Sequence, residues 1–374
     1  KLAVIELDGL GGASFGVEEL RQVIHSRLYK LDPFRYELID IPLKFHHPMW
    51  RENAEVDLEY HVRSCRVEAP GGRRELDEAV GRLASTPLDR SRPLWEMYLI
   101  EGLAGGRIAV LGKIHHALAD GVASANLLAR GMDMQDGLGA DRDSYATDPA
   151  PTPGELVRTA FADHLRQIAK LPGVMRYTAE GMRRVRQSPH KLSPELTRPF
   201  TPPPTFMNHM LDSTRRFATT TLSLDDVKQT GKHLGVTIND MVLSISAGAL
   251  RTMLLRYDNR ADHPLLASVP VSFDFSPDRI SGNFFTGVLV ILPVDAEDPL
   301  ERVGVAHDSA VAGKESNTLL GPELVSRWSS YLPPAPAEAM FRWLSNKDGQ
   351  NKVMNLPISN VPGPRTRARG GGAL

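Results

Sequence analysis

Two clusters of prolines constrain this chain more than any other feature. From Asp141 to Gly154 the sequence is polar and places Pro149, Pro151 and Pro153 close together, and a second stretch holds Pro199, Pro202, Pro203 and Pro204. Proline lacks the backbone donor and fixes φ, so neither stretch continues a helix or an inner strand. Between them, Glu155–Arg186 is rich in helix formers, with a break expected at Leu171-Pro172-Gly173. The chain therefore reads as two halves joined by a helical, proline-bounded connector: residues 1–140, 141–204 and 205–374. At 374 residues it is long enough for two ordinary domains with a cleft between them.

The first half alternates strand and helix signals. Leu2–Leu7 and Tyr36–Ile41 read as strands, the latter ended by Pro42. Val17–Leu28 places Leu20, Val23, Ile24 and Leu28 on one helical face. Leu94–Ile100 and Ile108–Ile114 form a strand pair joined through Ala104-Gly105-Gly106, and Ala123–Arg130 follows as a helix. The second half opens on two capping signals, Ser223 with Asp226 and Thr237 with Asp240. The second begins a helix with the stripe Ile238, Met241, Val242, Ile245, Ala249 and Met253; Leu265–Phe273 and Phe284–Val294 are then strands. The fold class expected is α/β.

A formal charge of −1 gives no global attraction to nucleic acid, and that partner class is set aside. Cys65 is the only cysteine, which excludes an internal disulfide framework and a cysteine metal cluster and fits a reducing compartment. It lies in a strand-like stretch and reads as a buried structural thiol rather than a nucleophile. The longest apolar run, Phe284–Val294, is about half of what a membrane-spanning helix needs. Lys1–Leu7 reads as a strand and not as a secretory leader.

The chemistry concentrates in His115-His116-Ala117-Leu118-Ala119-Asp120-Gly121, at the end of a strand and before a helix. A neutral imidazole there can take a proton from an alcohol at neutral pH, provided its ring is aimed into a cleft. Strand alternation sends His115 and His116 to opposite sides, so one of them faces a given cleft. Asp120 can brace the turn at the start of the next helix, and Gly121 permits a backbone geometry or close approach that a side chain blocks. Three other readings stay open on residue types alone. One is an incidental histidine pair, as His46-His47 between two prolines illustrates. Another is a metal site on His116 and Asp120, although no cluster of familiar zinc spacing completes it. The third is a core histidine satisfied by the backbone. No Gly-x-Ser-x-Gly elbow of the serine-hydrolase type is present.

His115 to Gly121 matches the HHxxxDG motif of thioester-dependent acyltransferases, a superfamily that includes chloramphenicol acetyltransferase and peptide-synthetase condensation domains. Pro87 to Glu96 (Pro-Leu-Asp-Arg-Ser-Arg-Pro-Leu-Trp-Glu), Glu101-Gly102-Leu103 and Lys113 to Leu118 narrow the likeness. So do Asn239-Asp240 and Ser359-Asn360-Val361-Pro362-Gly363-Pro364. Together they resemble the bacterial wax ester synthase/diacylglycerol acyltransferase family, its actinobacterial members above all. The family continues well past the Val-Pro-Gly-Pro element, whereas this sequence stops at Leu374.

The resemblance implies two chloramphenicol-acetyltransferase-like domains with an interdomain tunnel. It implies His116 as general base, His115 as its orienting neighbour and Asp120 as an architectural carboxylate paired with an arginine not yet identified. Asn239 is a candidate for holding substrate or oxyanion, Asp240 for the same or for capping its helix, and Pro93-Leu94-Trp95 for lining the acyl path or packing the core. Acyl-CoA is expected as co-substrate with no cofactor or metal, and diacylglycerol or a long-chain alcohol as acceptor, giving triacylglycerol or wax ester. Runner-up readings are a condensation-type acyltransferase on carrier-bound thioesters and a catalytically silent lipid-binding module. A cytoplasmic protein peripheral to the membrane or to lipid droplets is implied. Glu155–Lys191 supports that with eight basic residues against three acidic, and with Val157, Phe161, Leu165, Ile168 and Leu171 at helical spacing. The competing reading packs that apolar face on the two domains.

Overall fold

The computed structural model describes residues 1–7, 15–132, 147–188, 202–209, 211–345, 353–361 and 363. The first half contains β1 (Leu2–Leu7), α1 (Val17–His25), β2 (Glu37–Ile39), β3 (Met49–Arg51) and α2 (Leu58–His61). It continues through β4 (Val62–Arg66), α3 (Arg73–Ala84), β5 (Trp95–Glu101), β6 (Ile108–Ile114) and α4 (Gly121–Met132). After the long α5 (Pro153–Gln187) come α6 (Leu224–Leu234), α7 (Ile238–Tyr257), β7 (Leu265–Ser272), β8 (Phe285–Leu292) and α8 (Pro299–Leu320). Last are α9 (Leu324–Ser329), α10 (Pro334–Ser345) and β9 (Leu356–Pro357).

Two sheets organise the molecule. The first has the order β1-β6-β5-β4, antiparallel except for the parallel β4–β5 pair, and the second the order β8-β7-β9. The expected β5–β6 hairpin is present, with Trp95 opposite Ile114 and Glu96 opposite Lys113. Leu20, Ile24, Trp95, Leu99 and Leu127 fill one face of the first sheet, and Leu76, Val80, Tyr98 and Leu111 the other. In the second half Leu243, Ala247, Ala306 and Ala310 from α7 and α8 cover Ala267, Val288 and Val290 of β7 and β8. The run Phe284–Val294 is accordingly a core strand with alternate residues buried. Helix α7 is long and apolar enough to span a bilayer by length and composition, yet it packs in this core. Thr237 and Asp240 form the expected reciprocal cap on α7. Ser223 caps α6 in one direction only, accepting from Asp226 N–H at 3.2 Å.

One expectation fails. The connector does not break at Pro172, for α5 is a single helix of 35 residues with Pro172 inside it. Pro172 is exposed, and the Ile168 carbonyl it leaves without a donor belongs to a residue that is 66% exposed, so water can take that acceptor. Packing holds both sides of the proline. Leu156 and Ala160 sit against Ile41, while Gly181 lies so close to α8 that an added Cβ falls 2.4 Å from the Leu320 carbonyl oxygen. The buried face of α5 is thus Leu156, Ala160, Val174 and Gly181. The stripe Val157, Phe161, Leu165 and Ile168 points to solvent, with Phe161 63% exposed. Cys65, on β4, is half-buried against Val67 and Val80, and burial pushes its thiol pKa up, which suits packing and disfavours a thiolate.

Candidate active site

The site is built where β6 runs out. His115 N–H donates to the Leu94 carbonyl at 2.9 Å, extending the β5–β6 ladder by one bond. Below it, Lys113 donates to the buried Glu96 carboxylate at 3.0 Å, and Arg63 and Tyr98 approach the same carboxylate at 2.9 Å. A buried network that brings three donors to one carboxylate in this way fixes the strand that carries the motif. The chain then turns: Leu118 N–H donates to the His115 carbonyl at 3.1 Å, and Ala117 N–H to His115 Nδ1 at 3.1 Å. Because Nδ1 accepts, His115 is held as the neutral tautomer with its proton on Nε2. It is an orienting element of the turn.

His116 is free of that bond and exposed. Its ring lies against Phe285 with centroids 5.7 Å apart. Its backbone carbonyl and that of Ala117 accept from Asn283 Nδ2 at 3.0 and 3.2 Å. The surrounding protein lowers the His116 pKa chiefly by desolvation, with the Lys1 ammonium adding to the effect and hydrogen bonds opposing it. The neutral, proton-accepting ring is therefore the favoured form at neutral pH.

Asp120 joins the two halves. It is 2% exposed, and Arg279, in the β7–β8 connection, grips it with both terminal guanidinium nitrogens at 2.9 and 3.0 Å. Its carboxylate also accepts from Ala123 N–H and Phe284 N–H, both at 2.9 Å. Burial by itself raises its pKa, but the Arg279 hydrogen bond and the two backbone donors outweigh it and leave Asp120 below the usual carboxylate range. The backbones interlock as well: Asp120 N–H donates to the Gly282 carbonyl at 2.9 Å, and Gly282 N–H to the Leu118 carbonyl at 2.8 Å. Ile280 from the same connection is buried in the core of the first half. Gly121 serves close approach, since a Cβ there falls 2.8 Å from Val361 Cγ2. The motif glycine thus meets the late Ser359–Pro364 element, of which Pro362 and Pro364 lie outside the described residues.

The other candidates sit differently. Pro93, Leu94 and Trp95 are buried. Trp95 is sandwiched between Phe34 and His61, each with centroids at 4.5 Å, and its Nε1–H donates to the Phe34 carbonyl at 2.8 Å. Leu94 packs on Leu118, Ala119 and Ala123, so this element supports the motif from beneath. Asp240 accepts from Thr237 N–H at 2.9 Å and lies 2.8 Å from His307 Nδ1. Burial raises its pKa, and the His307 and Thr237 hydrogen bonds bring it below the ordinary value. Asn239 stands half-exposed beside it; among the described residues no hydrogen bond ties either one to the histidine motif. Arg279, Asn283, Phe285 and His307 escaped the sequence reading. Their one signal is an arginine in the loop Asp278-Arg279-Ile280-Ser281-Gly282-Asn283 between two strands, which is faint.

Comparison with known proteins agrees with this architecture. A solved wax ester synthase/diacylglycerol acyltransferase from Marinobacter aquaeolei superposes with a TM-score of 0.62 at 25% identity, covering 97% of this chain and 77% of that one. The first condensation domain of the CDA synthetase shares the fold, with a TM-score of 0.55 at 17% identity over 99% of this chain and 78% of its own. A Mycobacterium tuberculosis protein named "Putative diacyglycerol O-acyltransferase" is 66% identical over the whole chain, which spans 79% of that relative. Another protein of that organism with the same form of name is 34% identical over 97% of this chain and 73% of its own. The wax ester synthase/diacylglycerol acyltransferase catalytic-domain model matches residues 1–242 and the corresponding C-terminal-domain model residues 281–373. On these matches and on the seam that Asp120 and Arg279 close, the chain belongs to the wax ester synthase/diacylglycerol acyltransferase family.

Proposed function

We propose that this protein moves a long-chain acyl group from acyl-CoA to the hydroxyl of diacylglycerol, or to a long-chain alcohol, by direct transfer with His116 as general base. The observation that carries this reading is His116 itself: an exposed ring in a neutral-favouring environment, at a strand end braced from both halves. The ring removes the hydroxyl proton, the alkoxide attacks the thioester carbonyl, and the tetrahedral oxyanion collapses with loss of the CoA thiolate, which takes the proton back from the imidazolium. A positioned base of this kind contributes about 10²–10⁴-fold. No acyl-enzyme is required and no cofactor takes part. Asn239 is the candidate for holding the substrate or the oxyanion, and a tunnel along the seam would let donor and acceptor reach His116 from opposite sides.

The same reading places the protein at the cytoplasmic face of a membrane or on a lipid droplet. It is supported by the solvent-facing stripe of α5 and by the basic residues Arg158, Arg166, Arg176, Arg183 and Arg186 on that helix. The division into residues 1–140, a connector at 141–204 and residues 205–374 belongs to this proposal too. The test is incubation with labelled palmitoyl-CoA and either diolein or hexadecanol, followed by lipid separation. Labelled triacylglycerol is expected; release of free palmitate alone, with neither acceptor esterified, overturns the reading.

A further inference from the structure

His116 stands on the first half, yet two of the groups that hold it come from the second. The turn that carries it lies between the end of the β5–β6 ladder and the start of α4, and the His116 and Ala117 carbonyls belong to neither. Asn283 takes up both: its side-chain amide donates to the first at 3.0 Å and to the second at 3.2 Å. The two hydrogens of one amide nitrogen suit two successive carbonyls. The backbone around Asn283 is itself tied to the motif. Gly282, with φ at +82°, donates its N–H to the Leu118 carbonyl at 2.8 Å and accepts from Asp120 N–H at 2.9 Å. Glycine is the residue that adopts such a φ without strain. On the other side, Phe284 N–H donates to the Asp120 carboxylate at 2.9 Å. Asn283 is thus pinned through both of its neighbours, and Phe285, two residues on, lays its ring against that of His116.

We propose that Asn283 is a positioning residue of the reaction: from the second half it fixes the peptide carbonyl that orients the His116 ring, so that the base is aligned only while the β7–β8 connection is docked on the motif. This rests on the reading of His116 as general base. The ring is hydrogen-bonded by its own backbone carbonyl and by Asn283, and both interactions favour its protonated form. The charged groups that act on it, the side-chain and terminal amines of Lys1, work the other way. The carbonyl that Asn283 anchors is the one that meets the ring, so a shift of the first is a shift of the second. Asn283 acts through the base and not on the substrates, which makes a loss of kcat without a rise in KM its signature. The residue is exposed, so its exchange removes these bonds without opening a cavity.

The test is steady-state transfer from labelled palmitoyl-CoA to diolein across pH by the wild type, Asn283→Ala, Asn283→Asp and His116→Ala, with a thermal melt of each. Asn283→Ala should lower kcat about tenfold to 10²-fold while KM for palmitoyl-CoA stays within about twofold. The acid limb of its kcat/KM profile should move to lower pH, because a group that favours the imidazolium is gone and the base stays neutral further into acid. Asn283→Asp keeps the shape and loses both donors, so kcat should fall again, but its carboxylate should move the limb to higher pH. A merely structural defect gives no such pair of opposite shifts. Full kcat in Asn283→Ala, a rise in KM alone, or an acid limb that stays in place in either variant overturns the inference, while a largely inactive His116→Ala leaves the base assignment standing. A fully active His116→Ala overturns both.

Discussion

Replacing Arg279 with methionine should cost more stability than any other single change at the seam. The variant keeps an unbranched apolar stem in place of the arginine methylenes but removes two charge-assisted hydrogen bonds to Asp120, at 2.9 and 3.0 Å. Such bonds are worth about 1.5–3 kcal/mol each, and breaking a buried pair from one side costs about 3–5 kcal/mol because the remaining charge stays buried. With Asp120 2% exposed and Arg279 8% exposed on its side chain, the upper part of that range applies. Asp120→Ala should cost less, roughly 1–3 kcal/mol, since Arg279 retains Asp274 at 3.4 Å and the Asp274 carbonyl at 2.9 Å. Urea unfolding of both variants and of the double variant gives the coupling, expected at about 2 kcal/mol. The pH dependence has a definite sign. Asp120 has its folded pKa depressed, so the stabilisation is complete above the unfolded carboxylate value near ~4 and is lost as pH falls through the lower folded value. The gap between wild type and Arg279→Met should therefore narrow on acidification, because a protonated Asp120 no longer needs the guanidinium. Additive single effects, or a gap that widens below pH ~4, would refute this reasoning.

Other consequences are open to simpler assays. The Lys1 ammonium helps to hold the His116 pKa down, so Lys1→Met should move the acid limb of the activity profile to higher pH; an unchanged or lowered limb speaks against it. Gly121→Ala places a methyl 2.8 Å from Val361 Cγ2 and should cost about 1–3 kcal/mol in melting experiments, with recovery in Gly121→Ala/Val361→Ala. Failure of the second change to rescue would mean that backbone geometry, not contact, demands the glycine. Exchanging Arg176, Arg183 and Arg186 for glutamine should weaken binding to anionic vesicles about 100-fold at roughly 1 kcal/mol per charge, and undiminished binding would remove α5 as the lipid contact. Arg184 is left in place there because it donates to the Leu319 carbonyl at 2.9 Å and so anchors α5 to α8.

What the sequence discloses about this molecule follows physical distance along the chain. The β5–β6 hairpin, the histidines at its end and the helix after Gly121 are all local, encoded in alternation, a glycine turn and helix formers within forty residues, and the structure contains each of them. The partner of Asp120 is 159 residues away, in a loop whose own pattern gives no hint of its destination. Pro172 shows the opposite limit: its local preference for breaking a helix is overridden by packing at Ala160 and Gly181 on either side. Periodicity found the apolar stripe of α5 but could not say which face was buried, because Leu156, Ala160, Val174 and Gly181 are too small or too sparse to advertise themselves. His46-His47 was legible only as a dipeptide; its neighbours Asp163 and His164 arrive from α5 and Tyr331 from the α9–α10 turn.

The central claim is that His116 carries the proton. Acyl transfer from labelled palmitoyl-CoA to diolein by His116→Ala, measured beside its thermal melt, tests it most directly. The account predicts activity lower by at least about 10²-fold with an unchanged melt, since the residue is exposed and its ring lies at the protein surface against Phe285. A variant that melts like the wild type and retains near-full activity would contradict it.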